Sequence, residues 1–424
     1  MKALFIFLML NLPLMAQNSA FDKLYDLYSS KKFFKFISQF KETENSLNKN
    51  EKDICNVFYY ALKNKPTESE KYFLPELIAN KEIHDSVKKD LYSTSVINNV
   101  WLGNYKKSAE YSEILLKNYA AYIKQKDRED YENSLIIWKA LGNLGKQEAV
   151  KKSETNIKMK KDIAGLYNLP VVYNNDSIDF VFDTGANFST ITESYASKLD
   201  LVITEAKIKV GTITEKKVDA SIAYSKSFFM GNMEIKNTVF LVVPDSILSF
   251  AGGAYKINGI LGFPVMEAMG EMILTRDGNF NVPLDVPESD LNNLVLDSFN
   301  PVIEVDYKNN PMAFTFDTGA KSTLLYSPFL NDYEKEVTSQ YKLEDIKFSG
   351  AGGETKVSGY IIKDTELSVG KSKTSIPKLD LLSVPVRDKE EFFYGNLGQD
   401  FISKFDKMVL NFKYMSIDFQ SPNP

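Results

Sequence analysis

The sequence predicts a multidomain protein in which an all-α N-terminal region precedes an all-β region built from two similar halves. Three observations predict this organisation. Apolar residues recur at three- and four-residue spacing from about residue 20 to 160. Beyond about residue 166, short runs alternate apolar and polar residues, as half-buried strands do. One such run and the tripeptide that follows it occur twice, which indicates an internal duplication.

The first residues have the pattern of a secretory signal peptide. Lys2 precedes an apolar run from Ala3 to Leu10, and Leu14-Met15-Ala16 offers a cleavage site. The run is too short to span a membrane, and no later run approaches that length. We therefore expect residues 1–16 to be a signal peptide and the mature protein to be periplasmic, on the cell surface or secreted. A hydrophobic N-terminal core helix is the alternative interpretation.

Composition narrows the possible chemistry. The formal charge of −5 and the pI near 5.4 argue against nucleic acid or an anionic membrane as a partner. Cys55 is the only cysteine, so an intrachain disulfide is impossible, and we expect it to be a core residue. His84 is the only histidine, which excludes a multi-histidine metal site and leaves it as the one base for a Ser–His or Cys–His hydrolase. We expect His84 to be an ordinary surface or interhelix residue, and we expect no metal and no cofactor.

Residues 20–160 are expected to form a helical domain. Its apolar stripes continue on either side of Gly103-Asn104 and again before Gly142-Asn143-Leu144-Gly145, where helices should end. Helix pairs joined in this way are similar to tetratricopeptide-type arrays, and a plain bundle is an equal alternative. The aromatic stripes are first of all core packing and second a peptide-binding groove, and the helical domain could bind a protein partner. We expect the basic stretch 151–161 to be a helical linker.

The β region should begin with a hairpin, in which Leu169–Tyr173 and Ser177–Phe182 flank Asn174-Asn175-Asp176. Its counterpart runs from Val302 to Tyr307 and from Met312 to Phe316. A proline-containing connector separates the two copies, so the expected lobes are residues 166–286 and 296–424.

Each hairpin leads into the same motif. Phe180-Val181-Phe182-Asp183-Thr184-Gly185-Ala186 returns as Phe314-Thr315-Phe316-Asp317-Thr318-Gly319-Ala320, which places both aspartates at strand ends. Two carboxylates brought close together cannot both ionise easily, so such a pair holds one proton between them. One can draw a proton from water while the other protonates a carbonyl oxygen, which is general acid–base hydrolysis without a metal.

The predicted catalytic residues are thus Asp183 and Asp317. The residues after each aspartate should support this dyad, since glycine permits a tight turn and threonine can bond across to the other half. These supporting residues are Thr184, Gly185, Thr318 and Gly319.

Each half resembles a retropepsin-like aspartic protease lobe, and the pair resembles a pepsin-like enzyme that carries both lobes in one chain. A second family motif, in which two apolar residues precede glycine, is present as Ile260-Leu261-Gly262 and, less regularly, as Asn396-Leu397-Gly398. The resemblance covers about residues 166–424. It implies an all-β bilobal fold, a peptide or protein substrate, no cofactor and activity as a monomer.

The resemblance also points to flaps that would cover the cleft. Ser349-Gly350-Ala351-Gly352-Gly353 is similar to a flap-proximal glycine run, whereas Gly211-Thr212 in the first copy lacks that run. The candidate flap residues are Gly211, Thr212, Gly350, Gly352 and Gly353.

Three departures from the family pattern are visible. Asn396 replaces an apolar residue, and the loop after Asp317, counted to its Ser-Thr pair, is one residue shorter than that after Asp183. Ala186 and Ala320 stand where pepsin-like enzymes usually carry a hydroxyl residue. This last departure leads us to expect activity in the mildly acidic range rather than at very low pH.

Three functions remain open at this point. The first is an exported aspartic endopeptidase that uses Asp183 and Asp317. The second is a catalytically idle relative that binds peptide or cell-envelope material between its lobes. The third is an interaction protein dominated by its helical region, with the protease-like part as a scaffold.

Overall fold

The structure is a computed structural model that describes residues 19–211, 217–350, 353–385 and 391–421. It confirms the predicted order, with a helical region followed by a β-rich region. The predicted signal peptide lies outside the described residues. The helices of the first region are α1 (Ala20–Ser29), α2 (Phe33–Thr43), α3 (Lys49–Leu62), α4 (Pro66–Glu70), α5 (Pro75–Ala79), α6 (Asp85–Trp101), α7 (Tyr105–Asn118) and α8 (Arg128–Ala140).

Local sequence explains where these helices begin and which face they bury. Ser19 and Asn48 cap α1 and α3, and in each case an acidic residue three positions later completes a capping box. The aromatic stripe of α2 is buried at Phe33, Phe36 and Phe40. The helical region therefore has the apolar periodicity that the sequence predicted.

The prediction that residues 151–161 are helical is wrong. This part of the chain forms strands β1 (Glu148–Lys151), β2 (Thr155–Lys158) and β3 (Lys160–Lys161). Alternate side chains in β2 point inward, with Thr155 and Ile157 buried and the residue after each exposed. Lys158 thus lies on the outward face of a strand, and a high content of basic residues alone does not distinguish such a strand from a solvated helix. The helical region thus ends near residue 140.

We call residues 148–282 the first β unit. Its main sheet has the strand order β1-β9-β6-β12-β5-β4-β8-β7, with β3 paired to β4. Its remaining elements are β4 (Tyr167–Tyr173), β5 (Asp176–Phe182), β6 (Ser189–Thr192), α9 (Glu193–Ala196), β7 (Val202–Gly211), β8 (Lys217–Met230), β9 (Met233–Val243), β10 (Ser249–Phe250), β11 (Tyr255–Lys256), β12 (Gly259–Leu261), α10 (Phe263–Met269), β13 (Glu271–Thr275) and β14 (Asn279–Val282).

We call residues 294–421 the second β unit. Its main sheet has the order β15-β16-β17-β22-β18-β21-β20-β19. Its elements are β15 (Leu294–Asp297), β16 (Asn300–Tyr307), β17 (Asn310–Phe316), β18 (Leu324–Leu325), α11 (Ser327–Gln340), β19 (Glu344–Gly350), β20 (Gly353–Val369), β21 (Ser372–Leu382), β22 (Gly395–Leu397), α12 (Gln399–Ile402), β23 (Lys407–Asn411) and β24 (Ser416–Gln420).

Both predicted hairpins are confirmed. In the first unit β4 pairs with β5, and in the second β16 pairs with β17. The two-residue turns, Asn174-Asn175 and Lys308-Asn309, have positive φ angles between 47° and 71°. This is the backbone conformation of the tight hairpin turns that match strand twist.

A third sheet joins the two β units. Its order is β2-β14-β13-β23-β24, and the central pair is formed by β13 of the first unit and β23 of the second. Ile273 lies opposite Val409 in this antiparallel pairing. Backbone hydrogen bonds therefore fix the relative position of the two units.

The helical region packs against both β units through an aromatic cluster. Trp101 and Trp138 of the helices contact Phe299 of the second unit at ring-centroid distances of 5.0 and 6.3 Å. Trp138 also lies 6.0 Å from Phe188, and Trp101 lies 5.9 Å from Phe263, both in the first unit. The helical region thus shares a hydrophobic core with the β region. In the part of the chain that is described, no helix is long and apolar enough to cross a membrane.

Candidate active site

The two Asp-Thr-Gly turns are built in the same way. Asp183 follows β5 and Asp317 follows β17, and a strand from further along the chain runs parallel beside each. The backbone N–H of Asp183 donates to Leu261 O at 3.1 Å, and that of Asp317 donates to Leu397 O at the same distance. The second family motif therefore supports each aspartate from behind, as the resemblance implied.

Threonine hydroxyls join the two turns across the interface. Thr184 Oγ1 accepts from the backbone N–H of Thr318 at 3.0 Å and donates to Phe316 O at 2.8 Å. Thr318 Oγ1 makes the reciprocal bonds, accepting from Thr184 N at 3.0 Å and donating to Phe182 O at 2.9 Å. Both threonines are fully buried. The predicted cross-bonding role of these residues matches this geometry.

The glycines place each turn against the opposite carboxyl group. A methyl group added to Gly185 would lie 2.6 Å from Asp317 Cγ, and one added to Gly319 would lie 2.4 Å from Asp183 Cγ. Any larger residue would thus displace a carboxylate. The backbone N–H of Gly185 donates to Asp183 Oδ1 at 2.8 Å, and that of Gly319 donates to Asp317 Oδ1 at 2.9 Å. The two half-buried carboxyl groups therefore face each other across a nearly two-fold arrangement.

This arrangement suits acid–base chemistry on a bound water. In each carboxyl group, Oδ1 accepts a hydrogen bond from a backbone amide of the same turn. Like charges at such close approach disfavour double ionisation, so the pair is suited to hold one proton. A proton donor and a proton acceptor then lie side by side without any metal ion.

The residues behind the two aspartates differ in polarity. In the first unit Val181 lies opposite Ile260 in the parallel strand pair, whereas in the second unit Thr315 lies opposite Asn396. Thr315 Oγ1 donates to Asn396 Oδ1 at 2.6 Å, and Asn396 Nδ2 donates to Asp317 Oδ2 at 3.3 Å. Sequence analysis marked Asn396 only as an irregularity and missed this contact. The sequence does contain a signal for it, because Thr315 and Asn396 are both polar where the first copy has Val181 and Ile260.

The expectation of a shorter loop after Asp317 is wrong. The hydroxyls of Ser189 and Thr323 occupy equivalent positions, since each accepts from the backbone N–H of the motif glycine, Gly262 or Gly398, at 3.1 Å. Both aspartates therefore precede their hydroxyl residue by the same number of positions. Aligning Ser322-Thr323 with Ser189-Thr190 shifted the second loop by one residue, because the structural equivalent of Ser189 is Thr323. Phe188 of the first loop consequently corresponds to an exposed serine of the second.

The candidate flap residues lie at hairpin ends where they are described. Gly211 ends β7 and is paired with Lys217 of β8. Gly350 ends β19 opposite Gly353, the first residue of β20. Thr212 and Gly352 lie outside the described residues. The flap role of these five residues stays a prediction.

The other residues that could support hydrolysis lie elsewhere. His84 is exposed before α6, where its Nδ1 accepts from Ser86 N at 3.2 Å. Cys55 is buried in α3, and burial raises the pKa of its thiol to about 12. Over the described ranges, His, Cys, Asp and Glu side chains form no group of three or more that could hold a metal ion.

Part of the chain matches a known protein family. Residues 169–265, which include Asp183 and the motif ending at Gly262, match the family model for aspartyl proteases. No curated protein matches the sequence. Among solved structures, conglutin gamma, a basic 7S globulin from lupine seeds, is similar at 11% identity and a TM-score of 0.40, over 64% of this chain and 96% of that chain. Basic 7S globulin from soybean is similar at 9% identity and a TM-score of 0.40, over 63% of this chain and 94% of that chain.

Proposed function

We propose that the protein is an exported aspartic endopeptidase whose dyad is Asp183 and Asp317. The observation that carries this proposal is the reciprocal threonine bonding, which holds both Asp-Thr-Gly turns face to face within one chain. The family match to residues 169–265 supports an aspartic protease-like chemistry for the first β unit. The second unit supports its aspartate in the same way, since Asp317 N–H donates to Leu397 O and Gly319 N–H donates to Asp317 Oδ1.

The proposed reaction uses one water molecule and one shared proton. The ionised carboxylate takes a proton from water as the water oxygen attacks the carbonyl carbon of the peptide. The protonated carboxyl gives its proton to the carbonyl oxygen, which yields a neutral tetrahedral gem-diol. As the C–N bond breaks, one carboxyl donates a proton to the amine and the other accepts one from a diol hydroxyl. The dyad then again holds a single proton.

The test is cleavage of unfolded protein substrates by the purified mature chain. We expect the Asp183→Asn and Asp317→Asn variants each to lower kcat/KM by at least about 10³-fold, since either change removes half of the acid–base pair. Asp176→Asn is the matched control, because Asp176 is exposed at the other end of the strand that carries Asp183. Its activity should equal that of the unaltered protein.

The outcomes separate the proposed function from its alternatives. Near-normal turnover in either dyad variant would overturn the assignment. An unaltered protein that binds peptides without cleaving them would instead be the idle relative considered above. A protein that does neither, yet binds a partner through its helices, would be the interaction protein.

Export, a monomeric state and a protein partner for the helices are further parts of the proposal. Both carboxylates lie in one chain, so a second copy is not required to complete the dyad. Amino-terminal sequencing of the protein recovered outside the cytoplasm should begin after Ala16. Sedimentation of that material should give the mass of one chain at concentrations where it is active.

A further inference from the structure

We propose that the helical region stabilises the catalytic turn of Asp183 through Phe188, which acts as a positioning residue. Phe188 lies five positions after Asp183, in the loop that follows the turn. This inference rests on the proposed function, because it gives the helices a role in that same site. Without the contact between Phe188 and the helices, the loop would open locally more often. The fraction of the protein with a correctly placed Asp183 would then fall.

The backbone of this loop is packed against the motif that supports the aspartate from behind. Gly262 N–H donates to Ser189 Oγ at 3.1 Å. A methyl group added to Gly262 would lie 2.5 Å from the carbonyl carbon of Phe188, so the two backbones are in direct contact. Leu261, the residue before Gly262, accepts the N–H of Asp183 at 3.1 Å. A displacement of the loop would therefore reach the catalytic turn through this motif.

The side chain of Phe188 extends from the loop into the aromatic cluster of the helical region. Its ring centroid lies 6.0 Å from that of Trp138 in α8 and 5.5 Å from that of Phe299 in the second unit. Aromatic pairs at such distances contribute more than their buried area alone. Trp138 is itself 1% exposed and stacks on Tyr105 of α7 at 6.1 Å. Phe188 thus packs against a partner that the helical core holds in place.

The second unit supports the equivalent loop by a different kind of contact. Ser322 corresponds to Phe188 and is a small, exposed, polar residue. Gln399, which follows the motif glycine, donates from its Nε2 to the carbonyl oxygen of Thr318 at 2.8 Å. The corresponding residue of the first unit is Phe263, whose side chain cannot donate a hydrogen bond. The second turn is therefore supported by an amide of its own unit, and the first turn by packing against the helices.

The test places the residue of the second loop into the first. In the mature chain, Phe188→Ser should lower kcat about 10-fold, because a small misplacement of a catalytic group slows the chemical step. Phe188→Leu keeps an apolar side chain against Trp138 and should restore kcat to near its original value. Phe73→Ser is the matched control, because Phe73 is also half-buried but packs on Tyr92 and Tyr111 within the helical region. It should lower stability and leave kcat unchanged.

A double-variant cycle tests whether Phe188 acts through the helices. Phe188→Ser and Trp138→Leu should each lower kcat at a temperature where every variant is folded. The double variant should lose no more than Phe188→Ser alone, because both substitutions remove the same contact. Losses that multiply would show that Phe188 acts independently of the helical region, and would overturn the inference.

Hydrogen exchange does not depend on turnover, so it separates this inference from the proposed function. In this segment the amides of Asp183 and Gly185 are hydrogen-bonded. Mass spectrometry of peptides covering residues 183–189 should show about 10-fold faster exchange in Phe188→Ser, and no change in Phe73→Ser. Unchanged exchange in Phe188→Ser, or unchanged kcat of that variant in an active protein, would overturn the inference. An unaltered protein that cleaves nothing, although Phe188→Ser speeds exchange in this segment, would overturn the proposed function alone.

Discussion

The protein contains two interfaces of opposite character. The interface between the β units at the dyad is polar, with buried threonine hydroxyls bonded reciprocally to backbone groups of Thr184 and Thr318. The interface between the helical region and the β units has an apolar aromatic centre, in which Trp101 and Trp138 pack against phenylalanines. Hydrogen bonds fix the direction and distance between the groups they join, whereas apolar burial contributes most of the favourable free energy of folding. The difference indicates that the first interface sets geometry and the second supplies stability.

The two loops that follow the aspartates also differ in how they contact the helical region. Phe188 and the exposed Ser322 hold equivalent positions, but only Phe188 reaches the aromatic cluster of the helices. The first β unit is thus anchored to the helical region close to its catalytic turn. The second unit contacts the helical region through Phe299, through the pair that Lys31 forms with Asp297, and through Phe393, which lies against Phe33.

The largest expected effect on stability comes from the apolar interface. Trp138→Ala should lower the free energy of unfolding by about 3–5 kcal/mol, because Trp138 is 1% exposed and its removal leaves a cavity among aromatic rings. Urea unfolding would measure the change. Tyr122→Ala, an exposed aromatic of the same region, is the control and should cost little. A loss below about 1 kcal/mol in the tryptophan variant would refute a stabilising role for this interface.

Substitutions in the polar interface should lower stability less, and activity more, than substitutions in the apolar interface. Thr184→Val leaves the buried N–H of Thr318 without its acceptor, which should cost about 1–3 kcal/mol. It should also lower kcat about 100-fold, because the carboxylates shift relative to each other. Thr318→Val should give equal losses, since its bonds are the reciprocal ones.

Thr238→Val provides the matched control for the threonine variants. Thr238 is fully buried in β9, and among the described residues its hydroxyl has no hydrogen-bond partner. Its replacement by valine should be neutral or slightly stabilising. Unequal effects of Thr184→Val and Thr318→Val, measured as unfolding free energy and as kcat, would contradict the symmetric geometry of the two turns.

A buried lysine at the edge of the helical interface should make the free energy of unfolding depend on pH. Lys63 contacts Asn292 of the connector, and burial lowers its pKa to about 8, with help from Lys41 and Lys65. A lysine in the unfolded chain has a pKa near 10.4. The free-energy cost of burying the charged form therefore applies in full below pH 8 and decreases as the pH rises above 8.

Lys63→Met should therefore raise the free energy of unfolding by about 1 kcal/mol at pH 7, and by less at pH 9. Urea unfolding at the two pH values would measure both gains. The exposed Lys23→Met change is the control and should alter neither value. An equal gain at pH 7 and pH 9 would show that packing, not charge, is responsible.

The smallest effect is expected from an ion pair on the surface. Glu129 of α8 pairs with Lys217, the first residue of β8, and both side chains are well exposed. Glu129→Gln should change the free energy of unfolding by less than about 0.5 kcal/mol, because solvent screens exposed pairs. A thermal melt at low and high salt would detect a larger role if one existed.

Much of this site could be predicted from the sequence because its signals are local. Alternating phenylalanines before Asp183 and Asp317 predicted strands, and paired asparagines at residues 174 and 175 predicted the hairpin turn. The duplication then indicated that two equivalent turns exist. None of these inferences required knowledge of a distant partner.

The features that were missed depend on distant partners. Strand β1 pairs with Met233–Lys236 and β2 pairs with Asn279–Val282, so the strand character of residues 148–158 depends on segments far along the chain. The donor role of Asn396 likewise needs the position of Asp317, which lies 79 residues earlier. Periodicity within a short window contains neither kind of information.

The central claim is that Asp183 and Asp317 act as one acid–base pair that works with a single proton. Its most direct test is the dependence of kcat/KM on pH for cleavage of one defined peptide by the mature protein. The predicted result is a bell-shaped profile with a mildly acidic optimum, which collapses to background in both Asp→Asn variants. A profile with a single limb, or one that survives either substitution, would contradict the claim.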